Sequence, residues 1–350
     1  MENIAKYTVS LGGTIIDVLR KLEDLSRDSV MAVFVVDDCM KIIGTITAGD
    51  IRRALIGGCG LESKVDKVMN VNFTYLTDCY FDVEKLKYIK EQDLKLVPVL
   101  DKDGQLVRIL NFQKRKSFLP MDAVLMAGGK GERLRPLTEK VPKPHLKVGN
   151  KAIIDYNIDN LIDNGVENIN VTVNYLAEQL EEHFSDAVQG IKIKCVREPQ
   201  FLGTIGSIKF IHCWHNDTVL VMNSDLFTDI DLEAFFIHFM EHDADMSIAA
   251  VPYSVNVPYA ILDIEGVRNI KSLREKPSFH YYANAGIYLI KRKLLDMIPE
   301  GKFFHATDFM EMLIESGHKV IRFPISGYWI DIGKPEDFNK VQDIANHIKK

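Results

Sequence analysis

Residues 126–144 constrain this chain more than any other stretch. They read Met-Ala-Gly-Gly-Lys-Gly-Glu-Arg-Leu-Arg-Pro-Leu-Thr-Glu-Lys-Val-Pro-Lys-Pro. The short apolar run before them, Ala123-Val124-Leu125-Met126, predicts a buried strand. That strand runs directly into Gly128, Gly129 and Gly131, and the cations Arg133 and Lys143 follow. Glycine lets the backbone lie against a ligand, and successive N–H groups then point into one concavity. An arginine just downstream offers a planar fork to phosphate oxygens. The chemistry is that of a loop for a polyphosphate.

Two common phosphate loops are excluded. No Gly-Lys-Ser/Thr follows four spacer residues, and the third glycine of a dinucleotide fingerprint would fall on Leu134. The stretch instead resembles the signature of the sugar-phosphate nucleotidyltransferases, Gly-Gly-x-Gly-x-Arg-Leu-x-Pro-Leu-Thr followed by Pro-Lys-Pro. Glu132 stands where the usual member has threonine.

Composition bounds the rest. At 350 residues the chain has room for two domains. Hydrophobic content of 47% and charged content of 26% describe an ordinary soluble protein. With a net charge of −6 and no long basic run, nucleic acid is not an expected partner. No apolar stretch approaches twenty residues and the N-terminus does not look like a signal, so the expected setting is cytoplasmic, without membrane insertion. Cys39, Cys59, Cys79, Cys195 and Cys213 are scattered, and they read as reduced thiols rather than a disulfide or zinc framework.

The first third repeats itself. Residues 33–38 and 44–47 align with 97–102 and 108–111, and 17–22 with 82–86. Each copy reads as helix, strand, turn, strand and a further helix. Neither is long enough to bury a good core alone, so the two should pack as one unit. The run Gly44-Thr45-Ile46-Thr47-Ala48-Gly49-Asp50-Ile51-Arg52-Arg53 resembles the cystathionine-β-synthase-type (CBS) modules. In that family the residues at the Thr47 and Asp50 positions hold the ribose of an adenosyl ligand. A carboxylate suits a diol because two acceptors meet two donors. The second copy departs, with Asn111 and Lys114 at those places. An adenosyl-sensing role and a purely structural or dimerising role both stay open. CBS pairs self-associate, so the resemblance implies a homodimer. A boundary is expected at residues 117–120, giving domains 1–118 and 119–350.

From Met121 onward, apolar strands at 169–173, 191–196 and 219–222 alternate with helices at 153–162 and 232–240. The expected fold class is α/β, a Rossmann-like, mostly parallel sheet behind a tandem CBS pair. Ligands in such sheets sit beyond the carboxyl ends of the strands. Further motifs follow the nucleotidyltransferase order over residues 121–340. The resemblance makes Asp225, ending Val219-Leu220-Val221-Met222-Asn223-Ser224-Asp225, and Asp331, in Trp329-Ile330-Asp331-Ile332-Gly333, the magnesium ligands. It places Glu275 on sugar hydroxyls, Lys276 on the sugar phosphate, and Asn284 in the sugar site. Ala127, Gly128, Gly129 and Gly131 would hold the nucleotide with Arg133 and Lys143, and Gly203 and Thr204 would flank the base.

Glu198 occupies the base-reading segment. A carboxylate offers only acceptors, and guanine alone presents two adjacent donors on its pairing edge. Glu198 therefore favours GTP, unless it faces solvent and backbone groups of the 202–203 turn hold the base. UTP, dTTP or CTP are the alternatives. The implied reaction is attack of a sugar 1-phosphate on the α-phosphorus, with pyrophosphate leaving. The domain order resembles the glucosamine-1-phosphate guanylyltransferases of bacterial legionaminic acid synthesis. Mannose 1-phosphate and heptose 1-phosphate stay open, as does a nucleotide-sensing protein without catalysis.

Overall fold

The computed structural model describes residues 4–25, 31–78 and 81–348. Cys79 lies outside them. The chain divides into two compact units between Phe118 and Leu119.

The first unit contains β1 (Thr8–Ser10), α1 (Ile15–Leu25), β2 (Ala32–Val36), β3 (Ile42–Thr47) and α2 (Ala48–Ile56), then β4 (Leu76–Thr77), α3 (Val83–Glu91), β5 (Leu96–Leu100) and β6 (Leu106–Asn111). Two three-stranded sheets result, β1-β2-β3 and β4-β5-β6. Their hairpins match in register: Ala32 faces Thr47 as Leu96 faces Asn111, and a bulge follows Val35 as one follows Val99. Each hairpin is closed by an aspartate. Asp37 accepts the N–H groups of Cys39 and Lys41, and Asp101 those of Asp103 and Gln105, all at 2.9 Å. The copies share one core, in which Leu100, Leu106 and Ile109 pack with Val33, Phe34 and Ile46.

One expectation fails here. The first copy continues from β3 into α2, but the second has only turns after β6. The capping chemistry accounts for the difference. Thr47 and Asp50 bond reciprocally across the first turn of α2. Asn111 instead accepts from the Gln113 N–H at 3.0 Å, its carbonyl takes the N–H groups of Lys114 and Arg115, and no carboxylate stands at Lys114 to return the bond.

The second unit is built on a seven-stranded sheet. Its strands are β7 (Asp122–Ala127), β8 (Asn168–Val173), β9 (Ile193–Arg197), β10 (Thr218–Asn223), β12 (Met246–Asn256), β15 (Ser278–Lys291) and β16 (Val320–Pro324). Between them come α4 (Ile153–Asp163), β11 (Leu226–Thr228), α5 (Leu232–Glu241), β13 (Ile261–Glu265), β14 (Asn269–Arg274) and α6 (Ala306–Glu315); β17 (Trp329–Asp331) and α7 (Pro335–Ile348) close the chain. The order is β9-β8-β7-β10-β15-β12-β16. Only β15 runs against the others. Val124, Leu125, Leu220 and Val221 are buried on both faces of the sheet, as an unbroken apolar run demands. Strands β8 and β9 lie to one side of β7 and β10 to the other, so the carboxyl ends of β7 and β10 form the switch point where such sheets take ligands. Among the described residues no helix is long and apolar enough to cross a membrane.

Candidate active site

The glycine loop leaves β7 at this switch point. It borders a cavity of about 590 Å³ walled by Ala127, Gly129, Gly131, Arg133, Lys143 and Asp225, together with Met126, Lys130, Glu132, Pro144, Phe201 and Ser224. That volume falls within the usual range for small-molecule sites. The three glycines have different reasons to be there. A Cβ at Gly128 would overlap the Glu198 carboxyl. Gly131 has φ +61° and packs against Lys143 and Thr138. A Cβ at Gly129 would meet no protein atom within 4 Å, so that backbone is bare toward the cavity.

The two predicted metal ligands meet through a two-stranded pairing. Antiparallel β11 and β17 set Leu226 opposite Asp331, and the Ile332 N–H reaches the Asp225 carbonyl at 3.3 Å. Beneath them Leu134, Ile153, Phe227 and Ile332 form an apolar floor. Lys143, itself buried, binds the Asp225 carboxylate and stands 3.6 Å from Asp331 Oδ1. That oxygen is buried without a hydrogen-bond partner. Burial pushes the Asp331 carboxyl above the usual range, and the Asp225 charge adds to the effect, while Lys143 and Arg133 oppose it. The Arg133 guanidinium lies against Gly333, where a Cβ would come within 3.2 Å. Two carboxylates with an unsatisfied oxygen are a hard-donor pair suited to magnesium.

Glu198 is only 4% exposed and so does not face solvent, but like Gly128 and Asp331 it is not on the cavity wall. One carboxyl oxygen lies against Gly128, and the other accepts the Leu202 N–H at 3.1 Å. Burial pushes its pKa up to about 7, with the Leu202 bond opposing. Gly203 and Thr204 have structural work. Gly203 (φ +81°) would place a Cβ 2.5 Å from the Phe304 carbonyl. Thr204 Oγ1 accepts the Ala306 N–H at 2.9 Å and so caps α6. The segment after Glu198 is thus docked on residues 302–306, and neither Gly203 nor Thr204 lines the cavity.

Asn284 lies beyond the β10 end of β15, donating to the Tyr288 hydroxyl and accepting the Gly286 N–H, both at 2.9 Å. Nearby, a Cβ at Gly286 would stand 2.5 Å from the Asn223 amide, two residues before Asp225. Asn284 is therefore near the cavity's edge of the sheet, although not on the cavity wall. Glu275 and Lys276 lie farther off, exposed in the turn between β14 and β15, and the structure does not bring them to the cavity. Sequence reasoning missed Lys130, Phe201 and Ser224. Lys130 was legible as a third cation in the glycine loop, whereas Phe201 and Ser224 reach the wall only through the fold. Burial pushes the Cys195 thiol up to about 11, in keeping with an inert cysteine.

In the first unit, Asp50 accepts from both the amide and hydroxyl of Thr47, and its other oxygen meets Arg53. Both oxygens are engaged within the helix cap. Thr47 lines a cavity of about 470 Å³ with Phe34, Thr45, Phe73, Tyr88 and Lys95, among others, and Asp50 does not.

Residues 122–347 match the nucleotidyl transferase family, and residues 4–57 match the CBS domain. The chain belongs to the nucleotidyl transferase family. The CBS match covers the first copy, and the second is tied to it by the shared register and turns. Among curated relatives, the chain is 33% identical over 224 residues to the bifunctional protein GlmU of Methanocaldococcus jannaschii, covering 62% of this chain and 52% of that protein. It is 29% identical to UTP–glucose-1-phosphate uridylyltransferase of Synechocystis, covering 62% and 61%. It is also 29% identical to mannose-1-phosphate guanylyltransferase of Mycobacterium tuberculosis, covering 62% of each. The chain thus spans between half and two thirds of the length of these relatives.

Proposed function

We propose that this chain transfers a nucleoside monophosphate from GTP to a sugar 1-phosphate, giving a GDP-sugar and pyrophosphate. The observation that carries this reading is the convergence of Lys143, Asp225 and Asp331 beside a glycine loop whose backbone is bare at Gly129. The sugar phosphate is already an anion, so no general base is required. Positioning and charge neutralisation supply the catalysis. The loop amides and Arg133 hold the departing pyrophosphate. Lys143 neutralises the α/β-phosphate region. Lys276 and Glu275 hold the sugar phosphate and hydroxyls, which requires the turn that carries them to approach the cavity. Asp225 and Asp331 would hold magnesium, which when bound would add positive charge against the phosphate oxygens.

Glu198, buried beside Gly128, supports guanine. Relatives named as guanylyltransferases are 31% and 32% identical, against 29% for one named as a uridylyltransferase, which also supports guanine. Glucosamine 1-phosphate is the favoured acceptor, from the domain order, with legionaminic acid synthesis the implied use. Mannose 1-phosphate and heptose 1-phosphate are the competing acceptors. In the first unit, Thr47 on a cavity wall supports an adenosyl nucleotide as ligand, while the closed cap at Asp50 supports a structural role.

The test is pyrophosphate release across ATP, CTP, GTP, UTP and dTTP, each against a panel of sugar 1-phosphates. Release with GTP and one preferred sugar is expected. Arg133→Ala or Asp225→Ala should lower kcat about a hundredfold or more, the usual cost of one preorganised charge contact. Near-normal turnover in these variants would overturn the site assignment. Binding without release by the wild type would identify a sensor instead. Adding ATP, AMP or S-adenosylmethionine during turnover tests the first unit, and unchanged rates would leave it a structural role.

A further inference from the structure

The segment that begins at Glu198 and docks on residues 302–306 sends one side chain to the cavity beside the glycine loop, that of Phe201. Phe201 is the one aromatic ring among the described residues of that wall. The remainder is glycine backbone, charged side chains, Ser224 and the non-aromatic apolar residues Met126, Ala127 and Pro144.

Phe201 is 46% exposed, and Phe303 beside it 55%. Their centroids stand 5.8 Å apart with the planes at 66°, an edge-to-face contact. Whichever ring supplies the edge, Phe303 covers no more than one face of Phe201. Both rings are positioned by backbone rather than by burial. The Leu202 N–H donates to the Glu198 carboxyl at 3.1 Å, and the Leu202 carbonyl accepts the Phe304 N–H at 3.0 Å. Phe303 packs on the His305 ring at 4.7 Å, and the His305 N–H donates to Asp308 at 3.0 Å in the first turn of α6.

We propose that Phe201 is the platform on which the base of the nucleotide stacks, with Phe303 as its buttress. The inference rests on the transferase reading, which puts a nucleoside triphosphate in this cavity. Three considerations select the base. The cations and the bare backbone at Gly129 suit phosphates, and Phe201 is the wall's only flat apolar surface among the described residues. An aromatic ring takes any base by its face, without hydrogen bonds. A ring already fixed through its own backbone and a neighbouring ring gives up little freedom when a ligand covers it. Glu198 is off the wall, so the ring is what this segment itself presents to the cavity.

Calorimetry of the full chain with magnesium and the α,β-methylene analogue of GTP tests it, with pyrophosphate titrated in parallel. Phe201→Ala should weaken the analogue roughly five- to a hundredfold, the usual loss for one base–aromatic stack. Pyrophosphate has no base, and its affinity should not change. Phe201→Trp should restore binding of the analogue, and the fluorescence of the added indole should be quenched by the analogue but not by pyrophosphate. Unchanged affinity for the analogue in Phe201→Ala would overturn the proposal and leave the transferase reading standing. Equal loss of pyrophosphate would overturn it too, because the whole wall would then have changed. A shift confined to the KM for the sugar 1-phosphate would put the sugar on the ring instead. A wild-type chain that binds neither analogue nor pyrophosphate would overturn both readings.

Discussion

Replacing Glu198 with glutamine separates the physical consequences of a buried carboxyl from its part in base choice. Glu198 holds its proton up to about pH 7 because burial disfavours the charge, with the Leu202 N–H pulling the other way. Its folded pKa is raised, so the stability linked to that proton is fully present below the unfolded value near 4.5. It is lost as pH rises toward 7. Glutamine keeps the shape and an acceptor for Leu202 but never charges. Without ligand, Glu198→Gln should therefore melt higher than wild type at pH 8, and the two should converge toward pH 5. With GTP the sign reverses. Two guanine donors need the carboxylate form, so the wild-type KM for GTP should fall as pH rises from 6 to 8. The variant should lose this pH dependence. A hydrogen bond to a charged group contributes about 1.5–3 kcal/mol, so GTP preference over UTP should drop roughly ten- to a hundredfold. Melting curves at three pH values and initial rates with both nucleotides suffice. A wild-type KM flat across that range, with an unchanged GTP-to-UTP ratio in the variant, would refute a base-reading Glu198.

Two other substitutions test the surroundings of the site. Gly128→Ala drives a methyl into the Glu198 carboxyl and should cost about 1–3 kcal/mol of stability along with nucleotide affinity. Urea unfolding should show the loss, and Gly128→Ala with Glu198→Ala should regain much of it, since the second change removes the obstruction. Thr204→Val deletes the oxygen that caps α6 and should cost about 1 kcal/mol in the same assay, with kcat little changed if the threonine acts only as a cap.

The parts of the fold governed by local pattern were legible in the sequence. The run before the glycines could only be a buried strand, and the alternation of 153–241 gave the sheet its direction. Asp225 and Asp331, far apart in the chain, do converge, although composition and spacing alone would not have joined them and the family resemblance did. The register of β11 against β17 lies behind that convergence, and no local rule reveals it. Lys143 between the two carboxylates was not foreseen, because a contact across 82 and more residues is a property of packing. Thr204 was read as a ligand group when its hydroxyl serves a helix a hundred residues on. The second copy's missing helix goes with two positions, Asn111 and Lys114, which stand where Thr47 and Asp50 cap the first copy's helix reciprocally.

The twin aspartate turns at Asp37 and Asp101 have a consequence for how the first unit could respond to a ligand. The two copies agree where the hairpin has to close and diverge where a ribose would rest, at Thr47 and Asp50 against Asn111 and Lys114. The two copies share the turn that closes the hairpin, and only the first carries the threonine and aspartate that the CBS resemblance links to a ribose. Any adenosyl ligand held through that pattern would bind at one equivalent per chain, with a simple hyperbolic titration. A sigmoidal response, if the enzyme gives one, would have to arise between chains rather than within one.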